Sequence, residues 1–339
     1  MTEDQRWMAL ALRLAQKAVG SASPNPSVGA VVVARGQAVG KGWSSPPGGP
    51  HAEVVALDMA GKAAIGATLY VTLEPCVHVG RTPPCTDAIV RSGVKRVFAA
   101  LKDPDQRVSG KGFSTLKSAG IDVQIGLLSD QATLVHEAHV LHRTLGRPFV
   151  TYKVASTLDG RVAAVDGSSR WISSTQSRRN AHRLRAASDA ICVGIGTVLA
   201  DDPALTVRDV PLSGPPPLRV VVDSKGRTPV DAKVNDDLAP TLIVTGGDHV
   251  DIPDMLNDLG KRDVVSLLLE GGPTLAGSFM QLGLIDRFVF YLSPMLMGGP
   301  RGSIGGWAAD SIADAFALRI SSVRQLGPDI RVDAYPGVH

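Results

Sequence analysis

The 339-residue sequence predicts an α/β protein of two domains. Three observations carry that expectation. Apolar strand-like runs alternate with segments of helical period in both halves, the pattern of layered α/β folds. Leu145-Gly146-Arg147-Pro148 interrupts the pattern like a linker, giving domains of 1–145 and 146–339. A content of 44% hydrophobic and 20% charged residues is that of a globular chain able to fill two cores.

In the first half, Asp4 to Val19 set Met8, Leu10, Leu12, Leu14, Ala15 and Val19 at helical spacing, and Gly20 supplies a stop. Ser23-Pro24-Asn25-Pro26-Ser27 is a loop, and Val28 to Val33 is a near-continuous apolar strand. A second strand near Ala38 to Trp43 follows the turn at Arg35-Gly36, and the Pro- and Gly-rich Ser44 to Pro50 delivers the chain to His51. A helix starts there, running through Val54, Val55, Leu57, Met59 and Ala60 to Gly61. Ala67 to Leu73 is a strand, and Thr86 to Ser92 a helix with Cys85 near its start. Val94 to Ala100 is a strand, Gly112 to Ala119 a short helix and Ile121 to Ile125 a strand. The polar segment Asp130 to Thr144 is a helix closing the domain. Its histidines, His136, His139 and His142, recur every third residue with no carboxylate framework, which reads as a solvated helix face.

In the second half, Phe149 to Ala155 is a strand turned by Ser156 to Arg161, and Ser173-Ser174 caps a helix from about Thr175 to Ala187. Strands follow at Ala190 to Val193, Arg219 to Val222, Thr241 to Val244 and Val264 to Leu269. A helix spans Thr274 to Leu282, Asp286 to Leu292 is a late strand, and Leu318 to Tyr335 supplies edge strands. Cys192 sits in an apolar strand and reads as a core thiol.

Charge and composition exclude several function classes. The net charge of +3, from 35 basic and 32 acidic side chains, is not a nucleic-acid footprint, and 4% aromatics leave few stacking platforms. No run of 18 apolar residues spans a membrane, and the start, Met1 to Arg6, is polar without a signal core. Three cysteines do not make a disulfide framework. The expectation is a cytoplasmic enzyme.

The chemistry concentrates at His51-Ala52-Glu53, Pro75-Cys76 and Cys85. One imidazole and two thiols make an open zinc site, whose fourth position holds water with its pKa lowered to about 7. Glu53, two residues past the imidazole, is placed to move that water's proton. The layout matches the zinc-deaminase signature except in one spacing. Eight residues, Val77 to Pro84, separate the cysteines where the signature has two. His78 in that insert leaves a closed Cys2His2 structural site open as an alternative. In the second half, Gly194-Ile195-Gly196 lacks the third glycine of a dinucleotide fingerprint. Glu270-Gly271-Gly272-Pro273-Thr274, between a strand and a helix, reads either as a phosphate cradle or as a tight turn only.

Pro24-Asn25-Pro26 before Val28-Gly29, His51-Ala52-Glu53, Glu74-Pro75-Cys76 and the arm Arg81-Thr82-Pro83-Pro84-Cys85 together carry a resemblance. Residues 1 to about 145 resemble the cytidine-deaminase-like three-layer fold, and within it the deaminase half of the bifunctional riboflavin-pathway deaminase–reductases. The long arm is typical of that family. One departure is Asp103-Pro104-Asp105-Gln106, ahead of Gly110-Lys111-Gly112, where the family usually has Asp-Pro-Asn-Pro. Lys153 to Arg161, Trp171-Ile172-Ser173, Gly196 to Pro203 and Glu270 to Pro273 resemble the reductase half, which is similar to dihydrofolate reductase.

The resemblance implies two reactions. In the first, one zinc ion per chain, on His51, Cys76 and Cys85, serves hydrolytic deamination of a diaminopyrimidinone ribotide. Glu53 acts as general base and then acid, and Asn25 hydrogen-bonds the ring. In the second, NADPH reduces the ribosyl group to a ribityl chain, and Lys153 and Asp201 are the candidates to polarise or protonate the sugar oxygen. Ala155, Trp171, Thr197, Asp201, Ser224 and the turn Gly272, Pro273, Thr274, Leu275, Ala276, Gly277 and Ser278 would meet the cofactor. Ser169, Arg185, Leu205, Arg208 and Glu270 would meet the substrate, with the two arginines suited to a ribose 5-phosphate. A homo-oligomer, dimer or tetramer, is implied, with neither nucleic acid nor membrane as partner. Two rival classes share the zinc motif: a nucleoside or nucleic-acid deaminase with an accessory binding domain, and a non-catalytic structural zinc protein.

Overall fold

The computed structural model describes residues 1–80 and 82–337. Arg81, in the arm that carries part of the resemblance, lies outside the described residues. The chain divides into two units, Met1–Gly146 and a second from Arg147.

In the first unit a five-stranded sheet has the order β2-β1-β3-β4-β5. The strands are β1 (Gly29–Ala34), β2 (Gln37–Trp43), β3 (Thr68–Val71), β4 (Arg96–Ala99) and β5 (Asp122–Ile125). β1 is antiparallel to β2 and to β3, whereas β3, β4 and β5 run parallel. Alternate residues of the strands divide between two cores. Ala30, Val32, Leu69, Val71, Val97 and Ala99 pack with Ala56 and Leu57 of α2 (Ala52–Ala60), Ile89 of α3 (Cys85–Ser92) and Leu116 of α4 (Lys111–Ser118). Val31, Val33, Tyr70 and Phe98 pack with Met8 and Leu12 of α1 (Glu3–Ala18) and Ala132 of α5 (Ser129–Leu145). The three-layer fold follows from this period of two. β1 is a four-residue apolar run, Ala30 to Val33, because both of its faces are covered.

The histidines of α5 are not on a solvated face. His136, His139 and His142 are 1%, 6% and 8% exposed, and Leu134 is 52% exposed. They continue the inward stripe begun by Ala132. The reason lies in the strand ends beneath them, which offer polar partners: His136 Nε2 lies 3.1 Å from Thr72 Oγ1, and His139 Nε2 lies 3.4 Å from Asp103 Oδ1. Burial, with His139 nearby, holds His136 at about 3. Unfolded, the imidazole titrates near 6.5, so between those values the unfolded chain binds the extra proton. Stability of this unit is therefore expected to fall as pH drops below about 6.5, by up to about 1.4 kcal/mol per pH unit from this residue. His136→Gln, which cannot charge, should lose that part of the slope in denaturant titrations at successive pH values. Parallel slopes for variant and parent would refute the assignment.

In the second unit an eight-stranded sheet has the order β12-β13-β11-β6-β10-β7-β8-β9. Its strands are β6 (Phe149–Thr157), β7 (Ala190–Gly194), β8 (Leu218–Val222), β9 (Thr241–Val244), β10 (Ser266–Leu269), β11 (Arg287–Ser293), β12 (Leu318–Leu326) and β13 (Asp329–Pro336). β6 to β11 are mutually parallel, and β13 lies antiparallel between β11 and β12. Only β12 of the last two strands is an edge, which corrects the expectation of two edge strands. β13 has neighbours on both sides, and its Ala334 is buried.

Helices cover both faces of this sheet. α8 (Ile252–Lys261) and α9 (Pro273–Gln281) pack on Val150, Tyr152, Cys192 and Val220. α6 (Thr175–Ala186) and α7 (Ile195–Asp201) lie among the buried residues of the other face, α6 through Ala181 with Val289 and Tyr291, α7 through Ile195 and Val198 with Ile191 and Val221. Cys192 is fully buried, and that burial pushes its thiol up to about 12, as befits a core residue. No helix among the described residues is long and apolar enough to cross a membrane.

Candidate active sites

The first site forms where two helix starts meet the end of β3. His51 is the N-cap of α2, Cys85 opens α3 after Pro84, and Cys76 follows β3 by five residues. Their ligand atoms all lie within 4.8 Å of one another. His51 Nδ1 is 3.1 Å from Cys85 Sγ and 3.6 Å from Cys76 Sγ. Donors around one tetrahedral zinc ion stand about 3.5 Å apart, so this nitrogen and these two sulfurs fit that ion. His78 does not join the cluster among the described residues, which leaves the three-ligand arrangement rather than the closed one.

Several contacts build the site. The Cys85 N–H donates to Cys76 Sγ at 3.3 Å, as a helix start favours a thiolate. The Cys85 thiol hydrogen-bonds Cys76, and this bond, against burial and aided by His51, brings Cys76 down to about 4. The same bond, then burial, raises Cys85, and the bond to Cys76 raises His51. Thr82 Oγ1 lies 3.3 Å from His51 Nε2. With Nδ1 turned to the sulfurs, the Nε2–H donates to Thr82 and fixes the ring. Glu53 is 3% exposed, and its carboxyl, with burial as the main cause and the Cys76 charge second, is pushed up to about 7. It stands beside the three donors without being one of them.

Glu74 serves the site as a brace. Its carboxylate accepts from the N–H groups of Gly110, Gly112, Phe113 and Asp103, tying the start of α4 and the Asp103 loop to the strand end that carries Cys76. Gly112 must be glycine here, since a Cβ would stand 2.3 Å from the Pro75 carbonyl oxygen. In the departing loop, Asp105 is not free. Arg107 binds it through Nε and Nη2, the latter at 2.6 Å, and this pairing holds its carboxyl low. Asn25 is half-buried in the loop before β1, and among the described residues no hydrogen bond ties its amide to His51.

The second site lies at the carboxyl ends of the parallel strands, where the strand order reverses and open α/β sheets bind ligands. Leu269 pairs with Tyr152, so Glu270 emerges beside Lys153, and Lys153 Nζ is 3.8 Å from Glu270 Oε2. Arg185 on α6 grips the same carboxylate with Nε at 2.7 Å and Nη2 at 2.8 Å, and its Nη1 donates to the Thr206 carbonyl oxygen. Burial opposes ionisation of Glu270, but the Arg185 and Lys153 charges outweigh it and hold the carboxyl at about 2. Arg185 is thus already committed to Glu270, and Arg208, which is exposed, is the freer guanidinium. Leu205 is 2% exposed and packs among Ile191, Val193 and Val198.

The residues read as cofactor contacts divide. Thr197 and Gly272 come together, the Gly272 N–H donating to Thr197 Oγ1 at 3.2 Å. Pro273, Thr274, Leu275 and Ser278 belong to the first turns of α9, with Ser278 Oγ donating to the Thr274 carbonyl. Ala276 is fully buried, and a Cβ on Gly277 would meet the Gly305 carbonyl oxygen at 1.8 Å, so both positions serve packing. Ser224 follows the end of β8, and Ala155 pairs with Tyr291 across β6 and β11. Trp171 is exposed, with the Arg178 guanidinium 4.4 Å from its ring centroid. Asp201 pairs with Arg170 at 3.9 Å, on the Trp171 side rather than with Lys153. Ser169 is half-buried, and its carbonyl accepts from Ile172 N–H.

Sequence reasoning assigned no role to Thr82, Glu74, Arg178 or His182. Glu74 and Thr82 carried a signal, their places in Glu74-Pro75-Cys76 and in the arm that ends at Cys85.

Comparison with known proteins covers both halves. The family model for the cytidine and deoxycytidylate deaminase zinc-binding region matches residues 1–101, and that for the RibD C-terminal domain matches residues 148–332. Riboflavin biosynthesis protein RibD of Aquifex aeolicus is 44% identical over 346 residues, covering 96% of this chain and 97% of that one. The protein of the same description from Escherichia coli is 41% identical, covering 97% and 98%. Among solved structures, RibD of Acinetobacter baumannii superposes with a TM-score of 0.91 at 37% identity, over 99% of each chain. A Thermotoga maritima diaminohydroxyphosphoribosylaminopyrimidine deaminase/5-amino-6-(5-phosphoribosylamino)uracil reductase gives a TM-score of 0.90 at 34% identity, again over 99% of each.

Proposed function

The chain belongs to the RibD family, the bifunctional deaminase–reductases of riboflavin biosynthesis, and from that premise we propose how its residues divide the two reactions. The observation that carries the reading is the donor trio of His51, Cys76 and Cys85 with a buried, non-ligating Glu53 beside it. The substrate is the one in the Thermotoga relative's description, a diaminopyrimidine ribotide.

His51, Cys76 and Cys85 hold the zinc ion, which supplies a Lewis acid and makes water acidic enough to react near neutral pH. Thr82 keeps His51 turned toward it. Glu53 takes a proton from the water as its oxygen bonds to the amino-bearing carbon. It returns that proton to the ring nitrogen and carries the second one to the amine, so that the C–N bond breaks and ammonia leaves. A carboxyl held near neutrality by burial suits both directions of transfer. Asn25 orients the ring.

In the second unit NADPH is the cofactor, and when bound it supplies a hydride. Thr197, Gly272 and the start of α9 would hold it, with Trp171, Asp201, Ser224 and Ala155 as its further contacts. Arg208 would take the ribose phosphate, and Ser169 and Leu205 are the further substrate contacts in this reading. Arg185 holds Glu270, and Glu270 in turn holds the Lys153 ammonium toward the sugar. With a hydride delivered to C1′, the C1′–O4′ bond would open with its electron pair on oxygen, and Lys153 would protonate that oxygen. A cytoplasmic homo-oligomer, dimer or tetramer, is part of the same reading. The full-length match to two-activity relatives favours it over a deaminase with an accessory binding domain.

Absorbance of NADPH tests the division directly. With the aminated ribotide, oxidation should require the metal and stop with a strong chelator. With the deaminated ribotide, oxidation should continue in chelator at an unchanged rate. Chelator-resistant use of the aminated compound would overturn the first assignment, and chelator-sensitive use of the deaminated one the second.

A further inference from the structure

We propose that His182 is a positioning residue for the reductase, anchoring the Thr206–Asp209 segment to α6 through a hydrogen bond from the Arg208 backbone to its imidazole. The inference deepens the reading above and rests on it, in that Arg185, Leu205, Arg208 and Glu270 form the substrate end of the reductase site.

Three α6 residues at helical spacing of three, Arg179, His182 and Arg185, lie along one face of the helix. Each makes one hydrogen bond to the main chain of the same segment. Arg179 Nε donates to the Asp209 carbonyl oxygen at 3.2 Å, the Arg208 N–H donates to His182 Nδ1 at 3.1 Å, and Arg185 Nη1 donates to the Thr206 carbonyl oxygen at 2.9 Å. The segment needs such a clamp. Leu205, just before it, and Asp209, at its end, have φ of 48° and 62°, a left-handed conformation that non-glycine residues hold only where their surroundings impose it. The side chain of Arg208 stays close to its own segment, Nη1 donating to Thr206 Oγ1 at 3.2 Å, so where the backbone goes, the guanidinium goes.

The two arginines of the clamp only donate, and they take the segment's carbonyl groups. The Arg208 N–H needs an acceptor, and His182 is the member of the face that provides one. An imidazole accepts at Nδ1 only when neutral, with its proton on Nε2. The surroundings favour that form. Burial, Arg185 and Arg208 lower the pKa of His182, with Glu270 and Asp209 opposing. A proton on Nδ1 would remove the acceptor and set a third cation beside two guanidiniums, releasing Arg208 from its place. His182 therefore makes substrate affinity dependent on one proton while touching neither substrate nor cofactor.

Steady-state reduction of the deaminated ribotide by the full-length zinc-loaded enzyme tests this with His182→Leu, His182→Asn and Arg208→Ala. His182→Leu should raise KM for the ribotide by about tenfold or more, the loss expected for one anchoring hydrogen bond, with kcat and KM for NADPH within about twofold. The Asn amide oxygen falls near the position of Nδ1, so His182→Asn should restore KM to within about threefold of the parent. As pH falls from about 7.5 to about 5, KM of the parent should rise at least about threefold more than that of His182→Asn, which shares only protonation of the substrate phosphate. Unchanged KM in His182→Leu, failure of Asn to rescue, or identical pH profiles would overturn the proposal. Should His182→Leu fail to fold, judged by lost NADPH binding, the Asn profile decides alone. Arg208→Ala separates the two levels. If it raises KM and His182→Leu does not, the clamp is wrong and the substrate reading stands. If Arg208→Ala changes nothing, the substrate reading falls and the clamp's role falls with it.

Discussion

Glu53→Gln is expected to lower ammonia release by about a thousandfold while leaving one zinc ion per chain in place. General acid–base transfer by a positioned group contributes roughly 10²–10⁴ in rate, and the proposed mechanism gives this one carboxyl two transfers. Glutamine keeps the size and polarity of the side chain but can neither take nor return the proton. The three donors that cluster within 4.8 Å of one another are those of His51, Cys76 and Cys85, so metal content should not follow activity. Stability should not fall either. A carboxyl that burial has pushed up to about 7 is a costly group to ionise there, and the amide removes that cost. The measurement pairs ammonia release with metal analysis, and reduction of the deaminated ribotide serves as the internal control. Loss of zinc would make Glu53 a ligand, and retained deamination would remove it from the chemistry.

Lys153→Met should carry the second-largest effect, a fall of about a hundredfold or more in kcat for reduction with deamination untouched. Methionine keeps the unbranched stem that β6 buries and removes only the ammonium. Glu270 retains its bidentate partner Arg185, so no buried carboxylate is left alone and the fold is expected to survive. NADPH affinity should stay within about threefold, because the Lys153 ammonium is paired with Glu270, whereas Thr197, Gly272 and the start of α9 are the groups assigned to hold the cofactor. A fall in NADPH affinity with kcat intact would move Lys153 from proton donor to cofactor contact. Substituting Glu270 is the less informative experiment. It would strand Arg185 and Lys153 together in a buried site, and unfolding costs of several kcal/mol would obscure the chemistry.

Much of this architecture was legible because period and burial go together. β1 and β3 of the first sheet read as largely apolar runs, and β7 to β10 do the same. α8 is legible in the same way, since Asp251 caps it and Ile252, Met255, Leu256 and Leu259 follow at helical spacing. α7 was hidden by its glycines, which drew attention as a fingerprint fragment. Gly194 in fact caps a helix whose Ile195 and Val198 are buried. The zinc donors were legible as a list, since His-x-Glu and Pro-Cys are local patterns. Whether His78 belonged to them was not, since eight intervening residues leave its direction open.

The amino-acid sequence by itself determined the two α/β units, the family, and the residue types that can hold zinc and move a proton. The tertiary structure alone decided which polar groups are buried and whom they meet. His136 and His139 turn inward because Thr72 and Asp103 arrive from distant strand ends. Arg185 is held to Glu270, and His182 to the Arg208 backbone, by a sheet order that no local pattern encodes. The physical reason is that an apolar side chain needs only exclusion from water, which periodicity records. A buried polar group needs a particular partner at hydrogen-bonding distance, and that partner lies elsewhere in the chain.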